Sequence, residues 1–191
     1  MAGRFVLPPR GPEVPRNIEI KARLTEPSKA RAIASRLSGV EPEHIQQHDV
    51  FFQSQAGRLK LRMFPDGSGE LIQYDRPDTP SIRLSDYRIA RTPDAAALLD
   101  ILSRATAVVG EVRKHRLLYR VGQTRVHIDQ VEGLGDFVEL EVVLRPDQER
   151  AEGTRIADQL LDALEIDRTR LLGGAYVDLL AAMRTPVELG E

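Results

Sequence analysis

Asn17-Ile18-Glu19-Ile20-Lys21-Ala22-Arg23-Leu24 alternates polar and apolar residues, and its polar members carry both signs of charge. A strand turns successive side chains to opposite faces, so Glu19, Lys21 and Arg23 share one side and Ile18, Ile20 and Ala22 the other. A second stretch, Phe137-Val138-Glu139-Leu140-Glu141-Val142, repeats the pattern with two glutamates. Carboxylates grouped in this way point to a hard-cation site, because such ions prefer oxygen ligands.

Further strands carry the same kind of face. Arg58, Lys60 and Arg62 alternate with Leu59, Leu61 and Met63; Lys114 and Arg116 fall in phase with Val112 and Leu118; Arg125, His127 and Asp129 alternate with Val126 and Ile128. Turn residues join several of them. Pro65-Asp66-Gly67-Ser68-Gly69 links the Lys60 strand to Glu70-Leu71-Ile72-Gln73-Tyr74, and Gly133-Leu134-Gly135-Asp136 links the Asp129 strand to the Glu139 strand. Both read as antiparallel hairpins.

Helical spacing of apolar residues marks Pro27 to Val40, Pro93 to Val109 and Asp147 to Ile166. A fourth helix is expected between Arg168 and Met183, bent or started late by Gly173-Gly174. The first 16 residues hold Pro8, Pro9, Pro12 and Pro15 around the short apolar piece Phe5-Val6-Leu7, and are expected to form a disordered leader. One domain is expected over residues 17–181, with a tail over 182–191.

Composition narrows the partners. The 191 residues are 41% hydrophobic and 29% charged, enough for one filled core, and the net charge of -2 lacks the basic excess of a nucleic-acid or membrane-surface binder. Cysteine is absent, which excludes disulfides and thiolate chemistry and fits the cytoplasm.

Two architectures satisfy these patterns. An open sheet would cover its apolar face with helices and turn its charged face to water. A closed sheet would instead set a cationic lining opposite an acidic patch inside a polar lumen, with helices packed outside. The segregation of Arg and Lys onto three strands and of carboxylates onto two others favours the closed form. Buried cations then need an anionic partner, and a triphosphate supplies several charges and many acceptor oxygens. A divalent cation would lie between that phosphate and the carboxylates.

Asn17-Ile18-Glu19-Ile20-Lys21 resembles the E-x-E-x-K signature of the CYTH domain, the family of class IV adenylyl cyclases and thiamine triphosphatases also called triphosphate tunnel metalloenzymes. Leu59-Lys60-Leu61-Arg62 resembles the family's basic strand, Val112 to Arg116 its later K-x-R strand, His127-Ile128-Asp129 through Glu141 its acidic hairpin, and Ala175 to Leu180 its closing helix. The resemblance implies a single-domain α+β fold: an eight-stranded antiparallel barrel with a charged lumen and helices outside. It implies Mg²⁺ or Mn²⁺ held by Glu19, Asp129, Glu139 and Glu141, and a triphosphate gripped by Lys21, Arg23, Lys60, Arg62, Arg76, Arg88, Lys114, Arg116 and Arg125.

The implied reaction is that of a class IV adenylyl cyclase, which turns ATP into cyclic AMP and pyrophosphate. A triphosphatase acting on tripolyphosphate, a nucleotide or thiamine triphosphate is the alternative, and a non-catalytic polyphosphate or nucleotide sensor a second. The Ser85-Asp86-Tyr87-Arg88 stretch and the long Val131 to Glu141 hairpin look more like the cyclase branch. Related cyclases imply a homodimer, and no residue is assigned as general base. One departure stands out: Asn17 occupies the position of the first glutamate, which removes one anionic donor. His127 is in phase with Asp129 and suits a phosphate contact, proton transfer or a structural hydrogen bond. His44 and His48 read as a surface pair. No P-loop, dinucleotide fingerprint or nucleophile elbow is present.

Overall fold

A computed structural model describes residues 16–75 and 83–184. Eight antiparallel strands close into a barrel: β1 (Arg16–Arg23), β2 (Glu43–Phe52), β3 (Arg58–Met63), β4 (Gly69–Asp75), β5 (Arg83–Thr92), β6 (Val108–Val121), β7 (Thr124–Val131) and β8 (Gly135–Val143). Their order around the barrel is β1-β5-β4-β3-β2-β6-β7-β8, and closure comes from β1 pairing with both β5 and β8. The expected closed form is therefore the one adopted. Both expected hairpins are present, β3 to β4 and β7 to β8.

The alternation of each strand is resolved by an inside-out arrangement. Ile18, Ile20 and Ala22 of β1 join Val126 and Ile128 of β7 and Val138, Leu140 and Val142 of β8 on the outer wall. That wall is covered by α1 (Pro27–Ser38) and α3 (Arg150–Ala163), whose Ile33, Ala34, Ala157 and Leu161 fill the interface. Gly153 lets α3 approach β1 closely, since a Cβ there would lie 2.5 Å from Leu144 and 2.8 Å from Ile18. Leu98, Leu99 and Leu102 of α2 (Ala95–Ala105) cover Val50, Phe52 and Leu61 in the same way. Helix stripes and strand faces thus share one apolar layer outside the barrel, leaving the polar faces to line the lumen.

One end of the lumen is filled. Phe51, Ile72, Tyr74, Val112, Val131 and Phe137 from the strands cluster with Ala175, Tyr176 and Val177 at the start of α4 (Tyr176–Arg184). The fourth helix begins late, as Gly173-Gly174 implied. A 3-10 turn at Arg168–Arg170 comes first, then an extended passage whose Leu171 bridges to Ala22, and Gly174 at φ 70° turns the chain into the helix. Asp178 fixes this start by accepting from the Ala175 N–H at 2.7 Å and pairing with Arg58 at 2.8 Å.

Boundaries differ slightly from the sequence expectations. Arg16 belongs to β1 and residues 182–184 to α4; the expected leader before Arg16 and the segment after Arg184 lie outside the described residues. The helix expected from Pro93 to Val109 stops at Ala105, because Val108 starts β6. β2 carries His44 and His48, which places them on a strand, where His48 Nε2 meets Glu111 Oε2 at 2.8 Å. No helix among the described residues is long and apolar enough to cross a membrane.

Candidate active site in the barrel lumen

The lumen encloses a cavity of about 820 Å³ lined from all eight strands, with Ala175 and Tyr176 at its filled end. The pairing registers put Phe64, Pro65 and Asp66 at the opposite mouth, next to the start of β2 and the end of β5. Between mouth and plug lies a belt of charge.

Four cations of the belt come from two strands and are held by two aspartates in the same manner. Arg62 of β3 lies directly across from Asp49 of β2, donating from Nε and Nη2 at 2.9 and 3.0 Å, while Lys60 Nζ reaches the same carboxylate at 2.6 Å. On the other side of β2, Arg116 of β6 faces Asp129 of β7, donating from Nε and Nη2 at 2.6 and 2.7 Å, with Lys114 Nζ at 3.1 Å. A K-x-R strand paired with one aspartate therefore occurs twice. The bidentate geometry fixes each guanidinium plane before any ligand arrives.

Electrostatics follow from this pairing. Burial alone would push Asp49 and Asp129 toward protonation, but Arg62 with Lys60, and Arg116 with Lys114, hold both carboxyls below their ordinary range. The lysines differ from the arginines: burial, then the neighbouring Arg62, bring the Lys60 ammonium down to about 7 despite Asp49. Lys114 is lowered too, first by burial and then by Arg116. The arginines stay charged.

The wall formed by β1, β7 and β8 carries the acidic members. Glu19 of β1 lies opposite Glu141 of β8, and Lys21 opposite Glu139. Lys21 Nζ is 3.6 Å from Glu139 and 4.0 Å from the centre of the Tyr176 ring, a cation-π contact. Arg116 Nη2 also donates to Glu139 Oε2 at 2.8 Å, and Arg125 grips Glu141 Oε2 at 2.8 and 2.7 Å. Lys21, with Arg116 and Lys114, outweighs burial and keeps Glu139 well below the usual carboxylate range; burial is likewise overcome at Glu141 by His127, in the protonated form it takes in acid, and by Arg125.

His127 stands between these two glutamates. Its ring is 3% exposed, and its Nδ1 has no hydrogen-bond partner, lying 4.0 Å from Glu139 Oε2 and 3.7 Å from Glu141 Oε1. Burial, then Arg116, lower its pKa, so the imidazole is neutral at pH 7. Ligand atoms from His127, Glu139 and Glu141 all fall within 4.8 Å of one another. An orphaned ring nitrogen facing two ionised carboxylates is a donor set that a divalent cation fits.

The lumen thus brings together Glu19, Lys21, Lys60, Arg62, Lys114, Arg116, Arg125, Glu139 and Glu141 of the expected site. Three expectations change, and a fourth residue is not described. Asp129 is 0% exposed and its oxygens serve Arg116, Lys114 and the Tyr176 hydroxyl at 3.0 Å, so it anchors cations and is not one of the clustered metal donors. Arg88 points outward, because β5 pairs Tyr74 with Tyr87 and Gln73 with Arg88; Tyr87, Ile89 and Arg91 take the lumen side, and Arg88 bonds Gln73 at 3.2 Å on the outer surface. Arg23 has the right phase but lies past the apolar plug, where it donates to the Leu134 carbonyl at 2.7 Å and covers the Phe137 ring. Arg76 lies outside the described residues.

Asn17 completes β1. With its amide oriented to satisfy both polar ends, its oxygen accepts from Arg125 Nη2 at 3.0 Å and its nitrogen donates to the Arg16 carbonyl at 3.1 Å. It belongs to the Arg125–Glu141 pair. Sequence reasoning missed Asp49, Tyr176 and Arg91 as parts of this lumen; an aspartate two residues before Phe51-Phe52 was the available signal for the first, by analogy with Asp129 across its own K-x-R strand.

Comparison with known proteins agrees with this architecture. The profile of the CYTH domain matches residues 15–174. A Methanocaldococcus jannaschii protein carrying the name "putative adenylate cyclase" is 23% identical over 169 residues, spanning 85% of this chain and 97% of its own. Among solved structures, the PH1012 protein of Pyrococcus horikoshii shares the fold with a TM-score of 0.74 at 20% identity, over 85% of this chain and 98% of its own. A Hippeastrum protein, described as an adenylyl cyclase candidate with a dominant triphosphatase activity, has a TM-score of 0.65 at 16% identity, over 92% of this chain and all of its own. With the family profile matched along most of its length and the barrel closed around a charged lumen, the chain belongs to the CYTH domain family.

Proposed function

We propose that the protein is a divalent-metal-dependent enzyme that grips a triphosphate in the lumen and cleaves one of its phosphoanhydride bonds, with water as the nucleophile at the terminal phosphorus. The observation carrying this reading is the doubled clamp, Lys60 and Arg62 held by Asp49 beside Lys114 and Arg116 held by Asp129, lining one cavity with the His127–Glu139–Glu141 cluster. Two rigid forks spaced across β2 and β6 match successive phosphoryl groups of a linear chain. Their aspartates have already ordered the cations, so charge developing on phosphoryl oxygens meets donors that need no rearrangement.

Glu139 and Glu141, with Glu19 opposite, would hold Mg²⁺ or Mn²⁺. Such a cation, when bound, neutralises phosphate oxygens and makes the phosphorus under attack more electrophilic. The chain's own residues divide the remaining work. Lys114, Arg116, Lys60 and Arg62 bind and orient the oxygens, Lys21 reinforces the acidic wall, and Tyr176 with the apolar plug excludes water from the inner end.

A cyclase reading remains as the second. It is supported by the apolar and aromatic groups of the lumen, Phe64, Ile72, Tyr87, Ile89 and Leu118, a surface able to receive a nucleobase while the ribose 3′-hydroxyl attacks the α-phosphorus. Incubation of the purified protein with tripolyphosphate, ATP or thiamine triphosphate and Mg²⁺ or Mn²⁺, followed by separation of the products, tests both. Orthophosphate is the expected product. Cyclic AMP with pyrophosphate would replace the hydrolase by the cyclase, and tight binding without products would make the lumen a sensor.

A further inference from the structure

We propose that His127 is a metal ligand through Nδ1, and that it makes the lumen of this chain select first-row transition cations over Mg²⁺. This rests on the reading of the lumen as a divalent-metal site and adds the identity of the donor that sets its preference.

Three observations converge on the ring. His127 is 3% exposed, deep in a wall of charge, yet its Nδ1 finds no hydrogen-bond partner. A buried polar atom left unmatched is destabilising, so a ring kept this way has a use for the lone pair. The atom faces Glu141 Oε1 at 3.7 Å and Glu139 Oε2 at 4.0 Å, both beyond hydrogen-bond reach. A cation bound at about 2.1 Å separates neighbouring donors by roughly 3–3.6 Å, so a small torsional adjustment brings all three onto one ion.

The surroundings leave these donors available. Arg125 engages Glu141 through Oε2, so Oε1 is the oxygen turned to the ring. Arg116 takes one lone pair of Glu139 Oε2, and a carboxylate oxygen keeps another. Asn17, at the start of β1, spends its amide oxygen on Arg125. The set is therefore one imidazole with the carboxylates of Glu139 and Glu141, and Glu19 lies across from Glu141. Imidazole nitrogen favours Co²⁺, Ni²⁺ and Zn²⁺, whereas Mg²⁺ demands oxygen and gains little from it.

Full-length, tag-free protein and H127Q are titrated by calorimetry with Co²⁺, Mn²⁺ and Mg²⁺, each metal alone. The unsubstituted protein should bind in the order Mg²⁺ < Mn²⁺ < Co²⁺. H127Q should lose about 10–100-fold in Co²⁺ affinity and less than about threefold in Mg²⁺ affinity. Pulsed electron paramagnetic resonance of the Mn²⁺ form, with ¹⁵N-histidine incorporated, should show a directly coupled ring nitrogen, a result that holds whether or not the variant folds. No coupled nitrogen, equal Co²⁺ affinity in the two proteins, or a preference for Mg²⁺ would overturn the assignment. A nitrogen coupling without any triphosphate turnover supports the ligand and sinks only the enzymatic reading; turnover with Mg²⁺ and no coupling does the reverse.

Discussion

Replacing Asp129 by Asn keeps the size of the side chain and removes the charge on which half of the clamp depends. In the native barrel this carboxylate is 0% exposed and accepts from Arg116 twice, from Lys114 and from the Tyr176 hydroxyl, at 2.6 to 3.1 Å. An amide offers one acceptor oxygen and presents its NH₂ to donors on the other side. Lys114 then lacks its counter-charge and Arg116 keeps only Glu139, and breaking a buried pair from one side costs about 3–5 kcal/mol. In a chain of this size 1 kcal/mol moves the midpoint by about 2–4 °C, so thermal unfolding followed by circular dichroism should fall by roughly 6–20 °C. The pH dependence has a fixed sign. Asp129 has a folded-state pKa below its unfolded one, so its contribution is complete above about pH 4 and fades as pH falls further. The gap between the two proteins should narrow in acid. Asp100→Asn, at the exposed pair with Arg104, serves as control and should change stability by less than about 1 kcal/mol. A loss at Asp129 as small as the control's at pH 7 would refute the anchoring role.

The remaining predictions concern the ligand. Lys114→Glu should raise the apparent KM for tripolyphosphate by about 10–100-fold, while Arg88→Ala, on the outer face, should leave it within about twofold; steady-state kinetics on both variants would expose a wrong assignment of lumen side. Glu139→Ala and Glu141→Ala should each lower metal-dependent turnover by about 100-fold, and unchanged turnover in either would remove that glutamate from the metal site. Because Lys60 is brought down to about 7, tripolyphosphate affinity should weaken as pH rises through that value, with proton uptake on binding visible by calorimetry in buffers of different ionisation enthalpy. Lys60→Arg should abolish that step, since a guanidinium stays protonated; a step that persists would assign it to another group.

Strand parity made much of this legible from the sequence. Where one face of a strand is uniformly charged, as with Lys60 and Arg62, Lys114 and Arg116, or Glu139 and Glu141, a period of two is enough to place every member inside. Parity fails where the face is mixed. Arg88 and Arg91 are three apart and cannot share a side, and only the pairing of Tyr87 with Tyr74 decides between them. Gln46, Gln47 and His48 blur the alternation of β2, which hid both the strand and Asp49. Arg23 shows that phase says nothing about depth, since the apolar plug ends the cavity before β1 ends. Tyr176 reaches Asp129 across 47 positions of chain, a contact only tertiary packing creates. Asp129 itself was legible as a lumen group, and its neighbours then took every oxygen it had.

Among the described residues, the apolar plug at the start of α4 closes the inner end of the lumen and leaves the Phe64–Asp66 end as the way in. A linear triphosphate that enters end first has its terminal phosphoryl group deepest, and the orthophosphate cut from it lies behind the larger fragment. On the hydrolase reading, departure would then follow a set sequence, diphosphate first and orthophosphate last, and the smaller product would be the one that competes with fresh substrate for the empty barrel.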